Sequence, residues 1–155
     1  DAVISRAVNI GANADIGPRS AIGYAATVGA GTELGPDTVL GALTSIGARG
    51  ELGTGGRVVI ARSATVGADA QMVGMGVIGP ETTIGERFIA AGTFRLRKQV
   101  DVGDDVTLAD GVRIGRSGQI LDDADLGDSV TLGANACASG VVADDTTIAR
   151  GALCE

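Results

Sequence analysis

A large aliphatic residue recurs at every sixth position of this chain, separated by mostly small or polar residues. A first series runs from Ile4 to Val58 without a gap, and a second runs from Ile60 to Leu132. From Ile10 to Leu52 a glycine follows each aliphatic residue directly. A six-residue period fits neither the 3.6-residue turn of an α-helix nor a heptad, so the pattern predicts no amphipathic helix.

A second position of the repeat is also restricted. The fourth residue after each aliphatic one is mostly small in the first half of the chain, as at Ala14 and Ser20, and becomes larger from Phe88 to Val112. Because this residue precedes the next aliphatic one by two, both side chains point to the same face of a strand. Each hexamer therefore predicts a short strand that buries one small and one large side chain and ends in a glycine-assisted turn.

The period is interrupted twice. The first two series differ in register by two residues, which predicts a corner insertion near residues 55–61. A third series, Val142, Ile148 and Cys154, follows a register slip near residues 134–140. The length of 155 residues and the continuous repeat predict a single domain over residues 1–155.

The pattern aliphatic, glycine, any, any, small, any resembles that of the hexapeptide-repeat family, and the resemblance extends from Ile4 to Cys154. It implies an all-β fold, a left-handed parallel β-helix in which three hexamers form one coil of a triangular solenoid. Coils of 18 residues would give about eight coils in this chain. A right-handed β-solenoid is the alternative architecture.

Many hexapeptide-repeat proteins are acyltransferases with a histidine as general base, and one branch consists of carbonic anhydrases with histidine-bound zinc. This chain contains no histidine, the side chain best suited to proton transfer near neutral pH. It also has no nucleophile elbow, phosphate-binding loop or dinucleotide fingerprint. The sequence thus predicts that the chain is not an enzyme and has no catalytic or cofactor-binding residue.

Composition excludes some partners. The net charge of −7 argues against a nucleic-acid partner, which would require a basic surface. No apolar run approaches the roughly 20 residues of a membrane span. Aromatic residues make up only 2% of the chain, so the interior is expected to consist of small and aliphatic side chains.

Acidic residues recur at the coil spacing near the C-terminus. Residues 18 apart in sequence should lie on adjacent coils about 4.8 Å apart, where stacked carboxylates repel each other unless a cation intervenes. Hard oxygen ligands at this spacing suit Ca²⁺. The speculative Ca²⁺ ligands are Asp104, Asp105, Asp110, Asp122, Asp123 and Asp128. The alternative is a solvated acidic face with no bound ion and no other cofactor.

A row of alternating charge, Arg49, Asp69, Arg87 and Asp105, also follows the coil spacing and predicts ordinary surface ion pairs.

The two cysteines, Cys137 and Cys154, are 17 residues apart, almost one coil. Adjacent coils bring Cα atoms within the range that a disulfide needs, so a disulfide is possible here. It would imply export and an extracellular or cell-surface location. Two reduced, core-like side chains and a cytoplasmic location are the alternative.

The repeat continues to Cys154 without a recognisable cap, although open coil edges are normally covered. This predicts a non-enzymatic structural protein that associates with its own copies, end to end, into a filament or fibre. One alternative is a trimeric hexapeptide-repeat domain of a larger or degenerate acyl or sugar-nucleotide transferase. The other is a calcium-dependent surface or adhesion domain.

Overall fold

The chain folds into a solenoid of short parallel strands. The structure, a computed structural model, describes residues 1–154. These residues contain 25 strands of two or three residues and no helix. The strands are β1 Val3–Ile4, β2 Asn9–Ile10, β3 Asp15–Ile16, β4 Ala21–Ile22, β5 Thr27–Val28, β6 Glu33–Leu34, β7 Val39–Leu40, β8 Ser45–Ile46, β9 Glu51–Leu52, β10 Val58–Ile60, β11 Thr65–Val66, β12 Gln71–Met72, β13 Gly76–Ile78, β14 Thr83–Ile84, β15 Ile89–Ala90, β16 Phe94–Leu96, β17 Asp101–Val102, β18 Thr107–Leu108, β19 Arg113–Ile114, β20 Gln119–Ile120, β21 Asp125–Leu126, β22 Thr131–Leu132, β23 Cys137–Ala138, β24 Val141–Val142 and β25 Thr147–Ile148.

The strands form three parallel sheets, one on each face of a triangular prism. Sheet 1 contains every third strand from β1 to β25, sheet 2 every third strand from β2 to β23, and sheet 3 every third strand from β3 to β24. Nine, eight and eight strands in the three sheets correspond to about eight coils. The predicted all-β parallel solenoid of about eight coils is therefore confirmed.

Strand register shows where the six-residue period changes. Most neighbouring strands are offset by 18 residues, as in the pair Ile4 and Ile22. The offset rises to 20 between Leu40 and Ile60, because the corner at residues 53–57 has two additional residues. It falls to 16 between Leu126 and Val142, because the corner at residues 139–140 is two residues shorter.

Corners turn the chain from one face of the prism to the next through a left-handed backbone conformation. Their third residue has positive φ, and 18 of these residues are not glycine, at a cost of roughly 1–2 kcal/mol each. The amide of this residue donates to a corner carbonyl of the preceding coil, as Asp69 N does to Ala48 O at 2.9 Å. The first corner residue is often glycine because coils approach closely there: a Cβ on Gly47 would overlap the backbone at Ala68.

Inward side chains fill the prism. The aliphatic position is buried through most of the solenoid, and the fourth position packs beside it. The two phenylalanines, Phe88 and Phe94, are also fully buried. Phe94 lies directly across from Gly76 in register, and a Cβ on Gly76 would overlap the Phe94 ring. A glycine on one coil thus makes room for an aromatic side chain on the next.

Five buried hydroxyl groups occupy the fourth position, mainly in the first coils. Each donates a hydrogen bond to a backbone carbonyl, so no hydroxyl among them is left unpaired at a cost in free energy. The shortest is the bond from Thr32 Oγ1 to Gly47 O at 2.8 Å. The set is Ser20, Thr32, Thr38, Thr44 and Thr82.

Candidate functional site

The acidic rows lie at the second corner position, where their carboxylates bond to the backbone of the preceding coil. Each accepts a hydrogen bond from the amide of the equivalent residue one coil earlier. The bonds run from Glu86 N to Asp104 Oδ1 (2.6 Å), Asp104 N to Asp122 Oδ1 (2.9 Å), Gly92 N to Asp110 Oδ1 (2.5 Å), Asp110 N to Asp128 Oδ1 (2.9 Å) and Asp128 N to Asp144 Oδ1 (2.9 Å).

Aspartate is favoured at this position because the backbone amide of the second corner residue lacks a carbonyl acceptor in most coils. Strand amides and the third corner amide find carbonyl partners in the neighbouring coil, whereas the second corner amide in most coils does not. An unpaired amide favours any nearby acceptor. Three corners avoid the problem instead by placing proline there, at Pro18, Pro36 and Pro80, because proline has no backbone N–H.

These bonds account for most of the predicted Ca²⁺ ligands without an ion. Asp104, Asp110, Asp122 and Asp128 bond to backbone amides, Asp105 bonds to Arg87, and Asp123 has no side-chain partner. Within residues 1–154, no three potential metal-ligating side chains form a cluster. The Ca²⁺ site stays a prediction, and equal melting temperatures in millimolar Ca²⁺ and in excess EDTA would show it to be wrong.

Among residues 1–154, three arginines form two-pronged ion pairs with an aspartate on the next coil. Each guanidinium lowers the pKa of its partner carboxyl, chiefly through the hydrogen bonds it donates. Two of the pairs lie in the predicted row of alternating charge, whereas the third was not anticipated, although its 18-residue spacing could have indicated it. The pairs are Arg49–Asp69, Arg87–Asp105 and the unanticipated Arg19–Asp37.

The structure joins Cys137 and Cys154 in a disulfide, with their Cα atoms 5.0 Å apart. The bond fixes the last described residues to β23 at the edge of sheet 2. An extracellular or cell-surface location stays a prediction.

A shallow groove on sheet 2 contains a carboxylate without a partner. Asp101 and Gln119 are directly paired in register and line this groove together with Asp122. Neither a hydrogen bond nor an ion pair engages the Asp101 carboxylate within the described chain. Asp101 was not predicted as a site residue, although it interrupts an outward row that Thr65 and Thr83 precede at the coil spacing.

The outer surface of sheet 1 changes character along the solenoid. Its outward residues are aliphatic through Val39, Val59 and Val77, and then become Arg95 and Arg113. Arg113 was not predicted as a site residue, although its 18-residue spacing from Arg95 could have indicated that the two share a face.

Comparison with solved structures identifies the class of fold. The chain matches a UDP-N-acetylglucosamine O-acyltransferase from Moraxella catarrhalis RH4 with a TM-score of 0.77 and 19% identity, over 95% of this chain and 65% of that one. It matches the Francisella novicida UDP-N-acetylglucosamine acyltransferase with a TM-score of 0.55 and 17% identity, over 96% and 65% of the two chains. The enzyme of the same name from Bacteroides fragilis 9343 gives a TM-score of 0.54 and 16% identity, over 99% and 65%.

The chain is a hexapeptide-repeat, left-handed parallel β-helix, as the sequence resemblance implied. It spans 65% of the length of each of the three acyltransferases. Neither a protein-family model nor a curated protein sequence matches it. No helix in residues 1–154 could cross a membrane.

Two functional predictions are wrong. The chain was predicted to be a non-enzymatic building block of a filament, but the three solved structures compared above, which share its fold over 95% or more of its length, are acyltransferases. The same finding contradicts the prediction that the chain is not an enzyme. The missing histidine excludes one kind of proton acceptor only, since a carboxylate can also accept a proton. Open coil edges permit end-to-end stacking but do not require it.

Proposed function

We propose that this chain is the β-helical domain of an acyltransferase that transfers an acyl group to a sugar nucleotide and works as a homo-oligomer. The observation that carries the proposal is the fold match to the Moraxella catarrhalis enzyme, with a TM-score of 0.77 over 95% of the chain. Fold alone does not define chemistry, so the proposal also needs a site within the chain.

Acyl transfer to a hydroxyl or amino group requires a base that takes the proton of the nucleophile. Because the chain has no histidine, a base within it would be a carboxylate. Many of its carboxylates are already bonded to arginines or to backbone amides, as described above. Asp101 differs from these because it has no partner and lines a groove with a hydrogen-bonding side chain, Gln119, beside it.

In the proposed reaction, the acceptor oxygen or nitrogen attacks the carbonyl carbon of an acyl thioester while its proton passes to the Asp101 carboxylate. The new acyl–oxygen or acyl–nitrogen bond forms and the carbon–sulfur bond breaks. The thiolate then leaves with the electron pair of that bond and takes up the proton. The Gln119 amide is placed to hold a polar group of the acceptor.

The open shape of the grooves supports the homo-oligomer. The grooves on sheets 1 and 2 are shallow and open on their outer side, whereas enzymes exclude water from reacting groups. A second copy packed beside the groove would close it. The aliphatic side chain of Leu121, which lines the Asp101 groove and is 39% exposed, supplies apolar surface for such a contact.

The test is an acyl-transfer assay with purified chain, a set of radiolabelled acyl thioesters of different lengths, and UDP-N-acetylglucosamine as acceptor. We expect labelled sugar nucleotide, and a loss of activity of about 100-fold or more in Asp101→Asn. Asp125→Asn is the matched control, since Asp125 faces outward on sheet 3 without a side-chain partner. Absence of transfer with every donor, or equal loss in both variants, would contradict the proposal.

Sedimentation equilibrium tests the assembly separately. We expect a single species whose mass is a small multiple of 15.3 kDa. A monomer at micromolar concentration would contradict the homo-oligomer while leaving the assay result to decide the reaction.

A further inference from the structure

Two arginines lie opposite each other on the outer surface of sheet 1. Arg95 and Arg113 are direct register partners on the adjacent strands β16 and β19, and both side chains point outward and are exposed. No carboxylate of the described chain forms an ion pair with either. Two like charges in this position destabilise a sheet.

Three other arginines of the described chain are neutralised at the coil spacing. Arg19, Arg49 and Arg87 each meet an aspartate on the next coil at the equivalent position. The sequence has 19 acidic residues and a net charge of −7, so a partner for Arg95 would have been readily available. An unneutralised pair in an acidic protein is a local conflict of the kind found at functional sites.

The pair lines a groove of a size that suits a small ligand. Arg95, Arg97, Arg113 and Thr131 border it, and it encloses about 320 Å³, near the lower limit of ligand pockets at about 300 Å³. Thr131 lies opposite Arg113 on β22 and offers a hydroxyl donor. The guanidinium groups present planar forks of N–H donors, which match phosphate oxygens in two-pronged hydrogen bonds.

We propose that Arg95, Arg97 and Arg113, with Thr131, form a binding site for a dianionic phosphate group. The phosphate would neutralise the two guanidinium groups, as an aspartate on the next coil does for Arg19, Arg49 and Arg87. It would thereby relieve the repulsion between Arg95 and Arg113. The site is separate from the proposed acyl-transfer groove, because it lies on sheet 1 and Asp101 lies on sheet 2. It would therefore stand if the chain proved to have no transferase activity.

The test is calorimetric titration of the full chain with inorganic diphosphate at physiological salt, together with NMR of the arginine Nε–H groups. We expect saturable binding, shifts of the Arg95 and Arg113 signals, and at least tenfold weaker binding in Arg113→Gln. Arg62→Gln is the control because Arg62 is an exposed corner arginine without an ion-pair partner. It removes the same charge and should bind diphosphate within twofold of the unaltered chain.

A second arm distinguishes the source of the phosphate. Vesicles containing phosphatidic acid replace free diphosphate, and binding to the vesicles alone, lost in Arg113→Gln, would support the same site with a lipid headgroup as ligand. No saturable binding in either arm, or equal weakening in Arg62→Gln and Arg113→Gln, overturns the proposal.

Stability without ligand supplies an independent readout. If Arg113 serves a ligand and not the fold, Arg113→Gln removes a repulsion, and its melting temperature without anion should equal or exceed that of the unaltered chain. A lower melting temperature would assign Arg113 a structural role and contradict the proposal.

Discussion

The coils of residues 9–52 and those of residues 86–145 have the same backbone geometry but pair their corner amides differently. In the first region, the second corner position carries alanine or proline in every coil corner except at Tyr24, as at Ala30 and Pro36. In the second region it is often an aspartate whose carboxylate accepts the amide of the preceding coil, as Asp128 does from Asp110. The comparison shows that the corner shape does not depend on one side chain, because proline removes the unpaired donor and aspartate satisfies it.

The two regions also differ in the residues that fill their interiors. The first region fills the fourth position with hydroxyl residues such as Thr32 and Thr44, which donate to backbone carbonyls. In the second region this position holds Val100, Val106 and Val112, all buried. The first interior thus combines small side chains with internal hydrogen bonds, whereas the second relies on apolar burial.

Phe88→Ala should have the largest effect, a loss of about 3–5 kcal/mol in the free energy of unfolding. Phe88 is fully buried, and its removal leaves a cavity that the regular coils cannot collapse to fill. Urea denaturation followed by circular dichroism measures the loss. Ala70→Gly, one coil earlier and also buried, is the control and should cost roughly 1 kcal/mol. Equal losses in the two variants would contradict the packing role of Phe88.

Exchanging the interior residues should be unfavourable in both directions. Val106→Thr buries a hydroxyl in the apolar region and should cost about 1–3 kcal/mol. Thr32→Val removes the hydrogen bond to Gly47 O and should cost about 1 kcal/mol. The same denaturation experiment measures both. If Val106→Thr is neutral, the second interior has polar partners for a hydroxyl and the contrast between the regions is wrong.

Removal of a corner carboxylate should have a smaller, local effect. Asp110→Ala leaves Gly92 N without its acceptor, so we expect a loss of at most about 1 kcal/mol and faster hydrogen exchange at Gly92. Asp123→Ala is the control, since the Asp123 side chain has no partner. Unchanged exchange at Gly92 in Asp110→Ala would show that the carboxylate does not protect this amide.

The arginine–aspartate pairs should contribute least and depend on pH. Arg49 lowers the pKa of Asp69 in the folded chain. The contribution is therefore present above the ordinary aspartate pKa of about 3.9 and is lost as pH falls through the lowered folded value. The melting temperature of Asp69→Asn should lie slightly below that of the unaltered chain at pH 7 and approach it at strongly acidic pH. A pH-independent difference would argue against the ion pair.

The sequence alone determined the architecture, because a six-residue period restricts every coil independently of the others. It also placed Cys137 and Cys154 at the right spacing for the observed disulfide and aligned Arg49 with Asp69. These features can be predicted from residue spacing alone, because the coils repeat at a nearly constant number of residues.

Contacts that depend on side-chain direction were decided by the tertiary structure. The residue spacing placed Asp104 on the coil next to Glu86 but could not show that the Asp104 carboxylate accepts a hydrogen bond from the Glu86 amide. The sequence therefore predicted repulsion between stacked carboxylates. Nor could counting reveal that Asp101 borders a groove or that Arg95, Arg97 and Arg113 line another. The reason is physical: the period fixes which residues are neighbours, whereas the chemistry depends on which atoms those neighbours turn towards each other.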